Sequence, residues 1–164
     1  MKKEEYFLNI NRQDLEKFED LTQKEIIIYL TICSKMTFKQ QIFGVFKQVT
    51  SYDLVKFFKL NDTTQIKRIF KKFEKLNLLY VVNFKDNLIL SKTKLTTEEL
   101  KEILEQNFSD FNIRAERLKE LKEFFKWQID FKAIYAKKSQ QATQPPTTQQ
   151  KQSTDVFDDP DCPF

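Results

Sequence analysis

Hydrophobic and polar positions alternate along this chain in a small number of clear periods. From Leu21-Thr22 the stretch QKEIIIYLTICSKM reads as a helix. Thr22 caps it, and Glu25 three residues on completes a capping box. Ile26, Tyr29, Leu30 and Cys33 make its inward stripe, although the β-branched run Ile26–Ile28 is a counter-signal for strand. FGVFKQV alternates and is β-prone, which predicts a short strand within 43–49. Thr50-Ser51 caps YDLVKFFKL, with Leu54, Phe57 and Phe58 inward. Asn61 or Asp62 caps TTQIKRIFKKFEKLNLL. There Ile66, Ile69, Phe70, Phe73 and Leu76 follow the 3.6-residue helical period. LYVVNF and LILS flank a polar turn at Lys85-Asp86-Asn87 and predict a hairpin.

Beyond the hairpin the pattern is helical. Thr96-Thr97 caps EELKEILEQNF, with Leu100, Ile103 and Leu104 inward. Residues 111–138 read as one long helix without Pro or Gly, whose apolar positions include Ile113, Leu118, Leu121, Phe124, Phe125, Ile129, Phe131 and Ile134. That stripe is too wide for solvent, so it packs on the preceding domain or on a second copy; a homodimer through 111–135 is possible. Phe124, Phe125, Trp127, Phe131 and Tyr135 could also stack bases, but a core or interface role is the stronger reading. Residues 139–154 are Gln/Thr/Pro-rich with no large apolar side chain, so they read as a disordered linker. Fully extended, such a linker reaches on the order of 50 Å.

Charge sharpens the division. The formal net charge is +4 over 164 residues. Residues 35–95 carry thirteen basic side chains (Lys35, Lys39, Lys47, Lys56, Lys59, Lys67, Arg68, Lys71, Lys72, Lys75, Lys85, Lys92, Lys94) against four acidic ones, net +9. Residues 1–34 are net −2, 96–138 net zero and 139–164 net −3. A basic middle followed by an acidic end is the electrostatic footprint of nucleic-acid binding; a solvated lysine surface is the plainer alternative.

Some chemistry is excluded. The chain has no histidine, which removes the commonest general base and the common Cys/His zinc sites. Its single glycine, Gly44, removes Gly-rich phosphate loops. No catalytic residue, metal ligand or cofactor is expected. Two cysteines, Cys33 and Cys162, do not make a disulfide framework and fit a reducing, cytoplasmic setting. No run approaches a membrane span, and no signal peptide is read at the start.

The order helix, short strand, helix, turn, helix, hairpin resembles the winged-helix superfamily, and TSYDLVKFFKLNDTTQIKRIFKKFEKLNLLYVV resembles its helix-turn-helix and wing. The resemblance covers roughly 20–92 and implies a mainly α fold with a small β-hairpin. The domains expected along the chain are a winged helix with an N-terminal extension at 1–95, a helical extension for packing or dimerisation at 96–138, the linker at 139–154, and an acidic partner-binding tip at 155–164. Glycine is usual in the turn and at the exit of the second helix of that motif; here Leu60-Asn61 and Asn77 stand instead. The resemblance implies that the second helix enters the major groove. Thr63, Thr64, Gln65, Lys67 and Arg68 would then face bases, while Lys71, Lys72 and Lys75 would meet phosphates. Lys47 is a further candidate, and Lys85 at the wing tip would reach an adjacent groove. Because lysine dominates, phosphate contact outweighs base reading.

The last ten residues read DVFDDPDCPF. An acidic run closing on Pro-Phe is similar to the tip of bacterial single-stranded DNA-binding proteins, although the body lacks their OB-fold pattern. Cys162 replaces the usual aliphatic residue, and Pro160 interrupts the acid. The resemblance implies that Asp158, Asp159, Asp161, Pro163 and Phe164 bind genome-maintenance proteins, with the Phe164 ring and a terminal carboxylate entering an apolar, basic-flanked pocket. A solubilising or self-inhibitory tail is the alternative. Together the expectation is a non-enzymatic DNA-binding protein of a phage, plasmid or other mobile element. It would favour single strands, act in replication or repair, and recruit host proteins. The rivals are a sequence-specific regulator or plasmid replication initiator, and a protein adaptor such as a helicase loader.

Overall fold

The computed structural model describes residues 10–107 and 113–142, with side chains through Lys138. The fold is mainly helical with one small antiparallel sheet. In chain order it comprises α1 (Arg12–Glu16), a 3-10 turn (Lys17–Asp20), α2 (Gln23–Ser34), β1 (Ile42–Phe43), α3 (Ser51–Phe57) and α4 (Thr63–Lys75). Then follow β2 (Tyr80–Asn83), β3 (Ile89–Ser91), α5 (Thr97–Gln106) and α6 (Ala115–Ala142). The sheet order is β1-β3-β2, so the first short strand pairs with the far arm of the hairpin. Ile42 lies opposite Ser91 and Phe43 opposite Leu90. Tyr80 also lies opposite Ser91, and the ladder slips between Val81 and Asn83.

Helix starts follow their caps. The side chains of Thr22, Thr50 and Thr96 each accept a hydrogen bond from the backbone N–H three residues on, and the carboxylates of Glu25, Asp53 and Glu99 each accept one from the cap residue's N–H. Each reciprocal pair satisfies two otherwise unpaired N–H groups. The α2 stripe is rotated from its expected phase. Ile28, Tyr29, Ile32 and Cys33 are buried, while Ile26 and Leu30 are half-buried at its margin. Within the β-branched run only Ile28 is fully buried and Ile27 is 59% exposed. The run is helical because the Thr22 capping box starts the helix and Ile28, Tyr29, Ile32 and Cys33 anchor it in the core, which overrides propensity. Phe57 corrects another expectation. Val55 takes the inward place beside Leu54, and Phe57 is exposed at 63%. A helix of only seven residues offers one narrow stripe, and Leu54, Val55 and half-buried Phe58 fill it.

The predicted strand over 43–49 is cut short at Phe43. Gly44 turns the chain at φ +87, where a Cβ would stand 2.2 Å from the Leu88 carbonyl oxygen. The left-handed residue in the α3–α4 turn is Lys59, not Leu60 or Asn61, and Asn77 takes that conformation at the α4 exit.

Two cores share the sheet. One joins α2, α3, α4 and the strands around Ile28, Tyr29, Ile66, Phe70 and Phe73. The other joins Ile42, Val45 and Ile89 to Leu100 and Leu104 of α5 and Ile113, Leu121 and Phe125 of the α6 segment. The segment from 96 to Phe125 thus packs on the preceding domain, one of the two partners expected for it. By its internal contacts the chain divides inside α6, into one compact unit through Asp130 and another from Phe131. Within the second unit the rings of Phe131 and Tyr135 lie 4.5 Å apart. The helix also runs to Ala142, four residues past the expected Lys138 boundary. Ser, Gln and Ala are tolerated in a helix, so nothing at 139–142 stops it. Among the described residues no helix is long and apolar enough to cross a membrane.

Candidate nucleic-acid interface

Helix α4 positions most of the candidate residues. Asp62 caps it: its Oδ1 accepts the Gln65 N–H at 2.8 Å. Gln65 Oε1 in turn accepts the Asn61 N–H at 3.1 Å. Gln65 is thus partly committed to its own helix start and is less available for reading bases. Ile66, Ile69, Phe70 and Phe73 enter the core. The opposite face presents Thr64, Lys67, Arg68, Lys71 and Lys75 to solvent, while Thr63 is half-buried. None of those four cations is ion-paired with a described residue. Lys67 Nζ lies 5.2 Å from the centre of the Phe84 ring, a cation–π contact to the hairpin.

Lys72 departs from the expectation. Its Nζ donates to Glu25 Oε2 at 2.8 Å, tying α4 to the capping box of α2. Burial pushes the Glu25 carboxyl up, but the Lys72 hydrogen bond and the Thr22 backbone outweigh it and hold the group below its ordinary range. Lys72 is a structural ion-pair partner rather than a free phosphate contact.

Lys85 is exposed at the hairpin turn in a left-handed conformation, φ 72. Lys47 is exposed too, but it belongs to another surface. It lines a cleft of about 290 Å³ between α2 and α3 with Lys35, Phe43, Leu54 and Phe58. The 44–50 loop is joined to the hairpin turn, because Gln48 Nε2 donates to the Asp86 carbonyl and Leu88 N–H donates to Val49 O at 2.8 Å.

Three groups escaped the sequence reading. First, Lys92 is internal: its ammonium donates to Asp14 Oδ2 and to the Tyr29 hydroxyl, and Tyr29 donates to Asp14 at 2.8 Å. Burial pushes the Asp14 carboxyl up, but hydrogen bonds from Lys92 and Tyr29 and the charges of Lys92 and Lys17 more than offset it, leaving the group below its ordinary value. Burial first, then the Cys33 and Asp14 neighbours, raise the Tyr29 hydroxyl far above its ordinary value, so it stays a donor. Second, Arg117 is buried and donates to the carbonyls of Gly44 and Val45, at 3.2 and 3.3 Å, clamping the turn that Gly44 makes. Third, a cleft of about 340 Å³ opens between α4 and the hairpin, lined by Lys67, Phe70, Lys71, Glu74, Val81 and Phe84. The first two involve partners more than 60 residues apart, which no local pattern reveals. The signal for the third was Phe84 placed directly before Lys85 at a hairpin tip.

Among the described residues no group of three acidic or cysteine side chains could hold a metal ion. The tip residues Asp158, Asp159, Asp161, Pro163 and Phe164 lie outside the described residues. No protein-family model matches the chain, and no curated protein or solved structure is significantly similar to it.

Proposed function

We propose that the chain is a non-enzymatic DNA-binding protein in which α2, α3, α4 and the β2–β3 hairpin act as a winged helix-turn-helix. The observation that carries this reading is the outer face of α4. Lys67, Arg68, Lys71 and Lys75 stand there exposed and, among the described residues, without acidic partners, on a helix whose opposite face is core. Such a row attracts phosphates and releases their counterions. Lysines dominate it, and Gln65 is engaged in a cap, so backbone contact outweighs base-edge reading. Lys85 extends the row at the hairpin turn.

Single strands are the preferred form. The support is the Asp155–Phe164 segment, similar to single-strand-binding tips, and the aromatic cleft beside the row. In this reading that segment recruits genome-maintenance proteins, and the protein serves replication or repair for a phage, plasmid or other mobile element. The test is a titration of equal-length single-stranded and duplex DNA over a range of salt. Salt-dependent binding stronger for the single strand supports the reading. Binding that ignores salt overturns the DNA claim, and a strong duplex preference overturns the single-strand claim. Removing Phe164 is expected to abolish capture of partner proteins while DNA affinity stays the same or rises.

A protein-adaptor reading is favoured by one feature. Tyr52 is 70% exposed and Phe57 63%, and Lys35 sits 6.0 Å from the Phe57 ring. That surface is built from α3 and the end of α2 and suits a partner's apolar segment. Loss of partner capture on Phe57→Ser, with DNA binding absent in the unaltered chain, is the outcome that selects it.

A further inference from the structure

The cleft between α4 and the hairpin has a composition that phosphate binding alone does not need. Its floor is Phe70, which is buried, and its walls include Val81 and the half-buried Phe84 ring. Lys67 and Lys71 stand at its mouth, both exposed. At about 340 Å³ it has room for a planar ring. One carboxylate, Glu74, also lines it. Its Oε1 is pinned by the Val81 N–H at 3.0 Å. Among the described residues nothing donates to its Oε2.

We infer that this cleft takes one unpaired nucleobase bearing an exocyclic amino group, stacked on Phe84, with its flanking phosphates on Lys67 and Lys71. The inference rests on the DNA-binding reading and deepens it. An aromatic ring offers a sequence-tolerant stacking platform to an exposed base. The face of Phe84 is held by the Lys67 ammonium when no base is present. A phosphate draws that ammonium aside and vacates the ring. A carboxylate oxygen accepts a hydrogen bond but cannot donate one, so Glu74 Oε2 suits the amino group of cytosine or adenine and opposes the carbonyl of thymine. A base within an intact duplex is stacked on both faces and paired along one edge, so the cleft selects single strands.

The test titrates equal-length oligo-dC, oligo-dT and a duplex against the full chain and two variants. Phe84→Leu keeps an apolar side chain against the core and removes the stacking ring. Glu74→Gln keeps an oxygen for the Val81 N–H and turns the second position into an amide donor. For the unaltered chain, dC is expected to bind about threefold to tenfold tighter than dT, the range of one net hydrogen bond. Phe84→Leu is expected to weaken both single strands roughly tenfold and to spare the duplex. Glu74→Gln is expected to reverse the dC-over-dT order. If single strands bind in a salt-dependent manner but the dC:dT ratio is unity in all three proteins, the base cleft is overturned while the DNA reading stands. If no DNA binds, both fall. A unit ratio together with NMR shifts at Val81 and Phe84 on removing residues 155–164 assigns the cleft to the chain's own acidic segment, which also overturns it.

Discussion

Lys71 and Lys72 are neighbours in sequence and differ in what they touch. Lys71 is exposed and has no ion-pair partner among the described residues; Lys72 reaches back to Glu25. Lys71→Ala is therefore expected to weaken DNA binding and to lower the salt slope by about 0.7 for a single strand, with little change in melting. Lys72→Ala is expected to cost about 0.5–1 kcal/mol of stability, as a partly exposed pair does, with DNA affinity nearly intact. Fluorescence anisotropy and thermal melting on the two variants separate the roles. Lys92 makes the same point more strongly. Counted by sequence it belongs to the basic surface, yet its side chain is only 8% exposed and paired with Asp14. Lys92→Met leaves a buried carboxylate without its cation and is expected to cost about 3–5 kcal/mol in denaturant unfolding. The charges were legible residue by residue. Their partners were not, because Asp14 and Lys92 lie 78 positions apart.

The Asp14 pair also sets a pH dependence. The folded carboxyl lies below its ordinary value of 3.8, so the unfolded chain takes up a proton first as pH falls. Stability from this group is full above the unfolded value and is lost as pH drops through the folded one. Unfolding titrations are expected to show an acid limb beginning near pH 4 that is flattened in Asp14→Asn. An unchanged limb in that variant would assign acid sensitivity to other carboxylates.

At the scale of elements, the caps and the α4 stripe were legible because they are local: Thr22, Thr50, Asp62 and Thr96 announce their helices within four residues. Asp62→Ala is expected to cost about 1 kcal/mol and to loosen the start of α4. The phase of α2 and the length of β1 were not legible. Three consecutive isoleucines fit several stripes, and the packing of α2 against α4 and the strands chose one. The strand after Phe43 fails because the chain must turn at Gly44 against Leu88, a contact set by tertiary approach. Gly44→Ala is expected to destabilise by more than about 1 kcal/mol, since both the left-handed conformation and the backbone contact oppose a side chain. Arg117 secures the same turn from α6, so Arg117→Met is expected to lower the melting temperature without altering DNA affinity.

Across the whole molecule, the division of charge and the order of elements from α2 to the hairpin were legible in the sequence, as was the packing of the helical extension on what precedes it. The long apolar stripe of α6 does find a partner through Phe125, in the strand residues Ile42 and Ile89 and in Val45 of the loop after β1. Farther along, Trp127, Phe131, Ile134 and Tyr135 are exposed. The interface candidates narrow accordingly: Lys67, Arg68, Lys71 and Lys75 form one row, Lys72 and Gln65 serve the fold, and Lys47 lines a different cleft. The central claim is that this row holds nucleic acid. It is tested most directly by anisotropy titration of a single strand, at rising salt, against the full chain and the variant with Lys67, Arg68, Lys71 and Lys75 all changed to Ala. The account predicts salt-dependent binding by the unaltered chain and a slope lower by about 3 in the variant, with its melting unchanged. Equal affinity and equal slope in the two proteins would contradict it.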